Sequence, residues 1–237
     1  MLGAGLDPEH QPPHAYPFLP AIHALPAWRP ALDITFIVGE NGSGKSTLVE
    51  ALAIALGFGP QGGPLRAELG RTKRDSESDL ADALVIETGP HKPRAGFFLR
   101  AESFFNVASL IDSRDLAEVY GGRPLSEQSH GESFLSLAAN RFGPDSLFVL
   151  DEPEAALSVT SQLAFLGVMR RSAVSGSQFI ISTHSPILLR YPGAAVYEAS
   201  ERGLERIEAD DADAVRLTSE FMRDPDRYLR YLFDDEP

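Results

Sequence analysis

Apolar residues along this chain fall into short unbroken runs, separated by longer stretches in which they recur every three or four positions. The first pattern predicts buried strands and the second predicts helices. Leu32–Val38 is a β-branched and aromatic run that stops at Gly39, and a helix is expected over Thr47–Leu56. Residues 83–88 and 95–100 read as two short strands, with GPHKPR between them as a hairpin loop. Phe104–Tyr120 has helical spacing, with Phe104, Val107, Leu110, Ile111 and Leu116 on one face, and Gly121, Gly122 and Pro124 stop it. A further helix is expected over Ser133–Arg141. The run Ser146–Leu150, apolar at consecutive positions and closed by Asp151 and Glu152, suits a central parallel strand buried on both faces. A helix over Glu154–Arg171 and a strand over Gln178–Ser182 follow. Residues 194–199 and 204–207 form a terminal hairpin, and Ala214–Phe233 is helical with a break near Pro225.

Composition sets the outer bounds. Of 237 residues, 43% are hydrophobic and 23% charged, the balance of an ordinary globular chain. The net charge of −13 argues against coating by nucleic acid, while a local basic patch leaves a nucleic-acid contact open. Such a patch exists on paper: Arg66, Arg71, Lys73 and Arg74 lie in a Gly-rich, charged stretch that reads either as a solvated loop or as a phosphate contact. There is no cysteine, so neither a disulfide nor a thiolate metal site can form. No apolar run is long enough to cross a membrane, and the first basic residue is Arg29, so no basic leader is seen. The expected setting is the cytoplasm. Residues 1–31 are Pro-rich and read as a loose tail (1–14) leading to an extended piece near Tyr16–Ile22.

Residues 39–47, GENGSGKST, fit G-x-x-x-x-G-K-[ST] between a strand and a helix. Glycines let successive backbone N–H groups of Gly39, Asn41, Gly42, Ser43 and Gly44 turn inward on a phosphate. Lys45 supplies charge to the β- and γ-phosphates, the Ser46 hydroxyl is a magnesium ligand, and Thr47 opens a helix whose positive end faces the same anion. The chain has three lysines against eighteen arginines, and one of the three stands where this motif needs it.

Four stretches in this order resemble an ABC-type ATPase, the P-loop branch that includes transporter motor domains and SMC-like heads. The likeness is greater to small stand-alone bacterial ATPases of that type, and it runs from about Tyr16 to Leu232. It implies an α/β P-loop NTPase fold: a mixed-sheet core (15–60 and 145–237), an antiparallel hairpin, and a small helical lobe carrying a signature motif (81–144), all in one domain. The first stretch is the phosphate loop. In the second, Leu147–Glu152, the resemblance makes Asp151 a holder of Mg²⁺ and Glu152 the group that polarises the attacking water. The third is Gln128-Ser129-His130-Gly131-Glu132, where family members have Leu-Ser-Gly-Gly-Gln; Ser129 and Gly131 match and the other three depart. In the family this motif reaches the γ-phosphate of a second subunit, which implies an ATP-dependent homodimer; a helix N-cap explains the five residues equally well. The fourth is His184 in Ser182-Thr183-His184-Ser185-Pro186, 33 positions after Asp151 and matching the family's γ-phosphate histidine, with Ala155–Ser158 as the D-loop.

Two family features lack a clear match. Family members carry a Gln after a strand between the phosphate loop and the signature. Here Ala101-Glu102-Ser103 follows Gly96–Arg100, so Glu102 is the candidate oxygen ligand in its place. An aromatic that stacks on adenine would be Tyr16, Phe18 or Trp28, and core packing explains each of these as well. The resemblance thus implies ATP and Mg²⁺ as cofactors, Lys45, Glu152 and His184 as catalytic groups, and an unnamed client protein. A DNA-acting SMC-like enzyme is one alternative, although the 84 positions from Lys45 to Ser129 leave no room for long coiled-coil arms. A transporter motor subunit is a second, against which the altered signature argues. A non-hydrolysing, ATP-gated module of a defence or toxin system is the third.

Overall fold

A computed structural model describes residues 1, 3–6, 28–31, 33–65, 80–90, 92–113, 118, 121–200 and 202–233. The basic stretch at 66–74, Tyr16, Phe18 and the extended piece near Tyr16–Ile22 lie outside these residues.

The main sheet is built from β2 (Ile34–Val38), β3 (Gly63–Pro64), β5 (Ala95–Arg100), β6 (Ser146–Asp151), β7 (Gln178–Ser182), β8 (Ala195–Ser200) and β9 (Gly203–Ile207), in the spatial order β3-β5-β6-β7-β2-β8-β9. The strands from β5 to β8 run parallel; β3 and β9 close the two edges antiparallel. Strands β2, β6 and β7 are buried at every position because both faces of the sheet are covered. On one face Phe36, Phe97, Phe148, Leu150, Phe179 and Ile181 pack against α2 (Phe104–Ser113), α3 (His130–Arg141) and α4 (Val159–Val174). The alternate residues Ile37, Phe98, Leu147, Val149 and Ile180 meet α1 (Lys45–Ala55) on the other. The first face is rich in rings: Phe142 stacks on Phe148 at 4.1 Å between centroids, and Phe165 meets Phe134 edge-on at 5.3 Å.

Several sequence-based expectations need correcting. The runs at 83–88 and 95–100 do not form a hairpin. The strand within the first, β4 (Leu84–Glu87), pairs antiparallel with β1 (Gly3–Leu6) in a separate ladder, while β5 enters the main sheet parallel to β6. The helix expected from Glu154 begins later. A 3-10 turn covers Pro153–Ala156, Leu157 is extended, and Ser158 caps α4 by accepting from Ser161 N–H. The helix begun at Phe104 is described over Phe104–Ser113, and most of 114–120 lies outside the described residues. The hairpin of β8 and β9 forms as expected, and the C-terminal stretch breaks at Pro225 into α5 (Asp213–Arg223) and α6 (Pro225–Phe233).

Gly96 pairs with Leu147 where β5 leaves no room for a side chain. A Cβ there would lie 2.3 Å from the Leu147 carbonyl oxygen and 3.0 Å from the Phe58 ring. Gly96→Ala is therefore expected to destabilise the protein by about 3 kcal/mol. For a domain of this size that lowers Tm by roughly 6–12 °C in a thermal melt. An unchanged Tm would contradict this pairing of β5 with β6.

Candidate functional site

The loops leaving β2, β6, β7 and β8 gather at the C-terminal edge of the parallel strands, where open α/β sheets place their ligands. A cleft of about 1220 Å³ opens there, bounded by Gly39–Ser43, Glu152, His184, the end of β8 at Ala199, and Asp213 and Leu217 of α5.

The backbone of the phosphate loop explains its glycines. Gly39 has φ +142°, and a Cβ on it would strike the Ala199 carbonyl oxygen at 2.5 Å. Gly44 is left-handed at φ 90° and serves as the N-cap of α1 without any side-chain cap. The first N–H groups of α1 thus have no protein side chain to bond, which leaves them to an anion. The Ser43 hydroxyl is buried with no hydrogen-bond partner among the described residues. Lys45 is 4% exposed, and its Nζ donates to the carbonyls of Gly39 and Glu40 at 2.8 Å each, folding back across the loop. Burial lowers its pKa, and the carboxylates of Glu152, Asp151 and Glu154 pull the other way. An orphaned hydroxyl, a backbone cradle and a buried ammonium fit a polyphosphate.

The acid pair follows from the end of β6. Asp151 is buried, and its Oδ1 accepts from Ser182 Oγ at 2.5 Å. Glu152 turns out of the strand at φ 48°, held by its N–H donating to Ser182 O at 3.0 Å. Strand β7 lies between β6 and β2, so the acids do not adjoin the phosphate-loop strand. They reach the site across β7, whose following loop carries His184. His184 Nε2 lies 3.7 Å from Glu152 Oε1 and has no hydrogen-bond partner among the described residues. Hydroxyl and carboxylate oxygens of Ser46 and Asp151 are the hard donors magnesium takes. No group of three or more His, Asp or Glu among the described residues could hold a metal alone, so phosphate oxygens would complete the shell.

His184 sits below the ordinary histidine range, chiefly through burial and secondarily through the Lys45 charge, with Glu152 opposing. It folds in its neutral form and releases a proton relative to the unfolded chain. Its contribution to stability therefore falls as pH drops below about 6.5, through the interval down to its depressed value. In an NMR titration the His184 ring should have its midpoint below that of an unfolded-chain histidine. Glu152→Gln should lower it further and Lys45→Ala should raise it; shifts of the opposite sign would contradict this cluster.

The remaining sequence-based candidates separate from this cluster. Ser129 caps α3 in a capping box: its Oγ accepts from Glu132 N–H and donates to the Glu132 carboxylate, which bonds back to Ser129 N–H at 3.0 Å. Gly131 faces the Ala156 carbonyl and Ser161 of α4, and neither Ser129 nor Gly131 lines the cleft. The Glu102 side chain is 88% exposed and lies 3.8 Å from Arg100. Trp28 is buried in the core, edge-on to Tyr197 at 5.7 Å, so core packing is its role.

Glu154 escaped the sequence reading. Its Oε1 accepts from His184 N–H at 2.5 Å, its carboxyl also accepts from the Thr183 hydroxyl, and its other oxygen is buried without a partner among the described residues. Burial raises its pKa against those hydrogen bonds. It ties the loop after β6 to the loop after β7. Its place two residues beyond Glu152, past Pro153, was the available signal.

Two family models match the chain. One, described as an AAA domain, covers residues 31–89. A second, an AAA domain of the AbiEii toxin, Type IV TA system description, covers residues 91–190. Among curated proteins, the energy-coupling factor transporter ATP-binding protein EcfA2 of Leuconostoc mesenteroides is 24% identical over 70% of this chain and 64% of its own length. The hemin import ATP-binding protein HmuV of Streptomyces coelicolor is 28% identical over 64% and 59%. ABC transporter G family member 6 of Arabidopsis thaliana is 29% identical over 65% of this chain, which spans only 24% of that protein. The chain thus spans about a quarter of the plant relative and about three fifths of the bacterial ones. Solved structures with a related outline include a nucleotide-free ATP-binding cassette from an ABC transporter (TM-score 0.44, 17% identity, 85% of this chain and 90% of that one). Another is the SMC head domain from Thermotoga maritima (TM-score 0.43, 14%, 77% and 92%). With the order of its motifs, the two family-model matches and the curated relatives show that this chain is similar to ABC-type P-loop ATPases.

Proposed function

We propose that the protein binds ATP with Mg²⁺ in the cleft above Gly39–Ser43 and hydrolyses it. The observation that carries this reading is the convergence on Lys45: one buried ammonium within electrostatic reach of Asp151, Glu152 and Glu154, with His184 3.7 Å from Glu152. Lys45 and the loop N–H groups hold the β- and γ-phosphates. Ser46 and Asp151 would hold Mg²⁺, which supplies charge neutralisation for the transferring phosphoryl group. That neutralisation is needed here, because Glu40, Glu152, Glu198 and Asp213 all line the cleft. Glu152 accepts a hydrogen bond from the attacking water and aligns it with the γ-phosphate, and neutral His184 completes the far side of that phosphate. Placement and charge do most of the work, with little covalent chemistry required of the protein.

Ser129 and Gly131 lie away from the cleft of their own chain, which supports their action on a second copy in a nucleotide-gated homodimer. Among the described residues no helix is long and apolar enough to cross a membrane, which supports a cytoplasmic setting. The client process is not specified by these residues. The test is release of inorganic phosphate from ATP with Mg²⁺ and with EDTA: release that depends on Mg²⁺ is expected. Tight ATP binding with no release would favour the second reading, an ATP-gated module in a toxin–antitoxin setting. That reading draws its support from the Type IV TA system wording of the second family model.

A further inference from the structure

The end of β5 brings a cation to the back of the acid pair. Arg100 is the register partner of Asp151 across β5 and β6. Its side chain is 23% exposed, its Nη1 donates to Glu50 Oε2 at 3.0 Å, and its Nε lies 3.7 Å from Asp151 Oδ2. That Nε is buried and has no hydrogen-bond partner among the described residues. Glu50 belongs to α1, four residues after Ser46, so both stand on one face of the helix. The two oxygens of Asp151 are thereby accounted for by the protein: Oδ1 takes the Ser182 hydroxyl and Oδ2 faces the guanidinium.

Resting on the nucleotide-site reading above, we propose that Arg100 and Glu50 form a charge couple that sets the affinity of the site for its divalent cation, with Arg100 as a positioning residue for Asp151. Arg100 holds the Asp151 carboxylate in the cation-free site and competes electrostatically with an arriving metal. Glu50 offsets the guanidinium and moderates that competition. Glu102, the acid expected at this place from the sequence, is too exposed to take part directly; the strand's contribution at Asp151 is the arginine two positions earlier. A cation a few ångströms from the metal-binding carboxylate weakens metal binding by at least several-fold, even with solvent screening.

The couple makes a prediction that a merely structural role does not. Mn²⁺ is the probe, and its free concentration is read by EPR against protein loaded with ADP. Arg100→Gln should bind Mn²⁺ at least about five-fold more tightly than the parent. Glu50→Gln should bind it at least about five-fold more weakly, and Arg100→Lys should stay near the parent. Two substitutions of one ion pair with opposite signs is the supporting result. Weakening by both, or no change in either, overturns the proposal. Should Arg100→Gln fail to fold, Glu50→Gln and Arg100→Lys still decide it, since tighter or unchanged binding in Glu50→Gln contradicts it alone. If the parent itself does not bind Mn²⁺ with ADP, the nucleotide-site reading falls and this inference falls with it. Parent binding that the variants leave unmoved removes only the couple.

Discussion

Glu152→Gln is expected to keep ATP binding and lose turnover. Glutamine has nearly the same shape, so the left-handed turn at φ 48° and the N–H bond to Ser182 O survive. What disappears is the negative oxygen that aligns the attacking water. A positioned base of this kind contributes on the order of 100- to 10,000-fold, so the steady-state rate should fall within that range while ATP affinity stays within a few-fold of the parent. The ATP-bound species should also accumulate as a dimer, since the step that opens it is blocked. Phosphate release and light scattering on the same sample would show both effects. A variant that hydrolyses ATP like the parent would remove Glu152 from its assigned role.

Lys45→Ala has the second large effect, and it acts on binding. The Lys45 ammonium is buried, burial already disfavours its charge, and nearby carboxylates are what keep that charge in place. In the variant the Gly39 and Glu40 carbonyls lose their donor, and Glu152, Asp151 and Glu154 lose the charge of the ammonium. Losing charge-assisted bonds to phosphate costs about 3 kcal/mol or more, which is roughly a 100-fold rise in the Kd for ATP. Calorimetric titration with ATP and Mg²⁺ would measure it; an unaltered Kd would contradict the assignment of the phosphate loop.

The parts of this site that were legible in the sequence are the local ones. GENGSGKST states its own strand, turn and helix, because each glycine answers a backbone need within nine residues. The apolar run ending in Asp151 and Glu152 shows burial on both faces. Partnership is less legible. Residues 83–88 and 95–100 looked like one hairpin because a short loop joins two β-rich runs. Yet the runs differ: Leu84–Glu87 alternates between half-buried and exposed, whereas Gly96–Leu99 is buried at consecutive positions. That difference is one of burial in the fold and not of hydropathy along the chain, because Leu84, Val85 and Ile86 are apolar at consecutive positions as well. Arg100 was out of reach for another reason. Its role depends on the β5–β6 register and on a helix face fifty residues away, and neither is written near residue 100. Glu102 was favoured because only sequence proximity to the strand end was available. Ser129 was legible as a helix N-cap: the capping box is present, and Ser129 is not among the residues that line the cleft.

Turnover per chain, followed as protein concentration is raised from the nanomolar to the micromolar range with saturating ATP and Mg²⁺, puts the greatest strain on the idea that one molecule's cradle is finished by another's signature helix. A rise in specific activity that levels off once dimers predominate is the expected curve. A specific activity that is flat over the whole range, with the chain monomeric throughout, would contradict it.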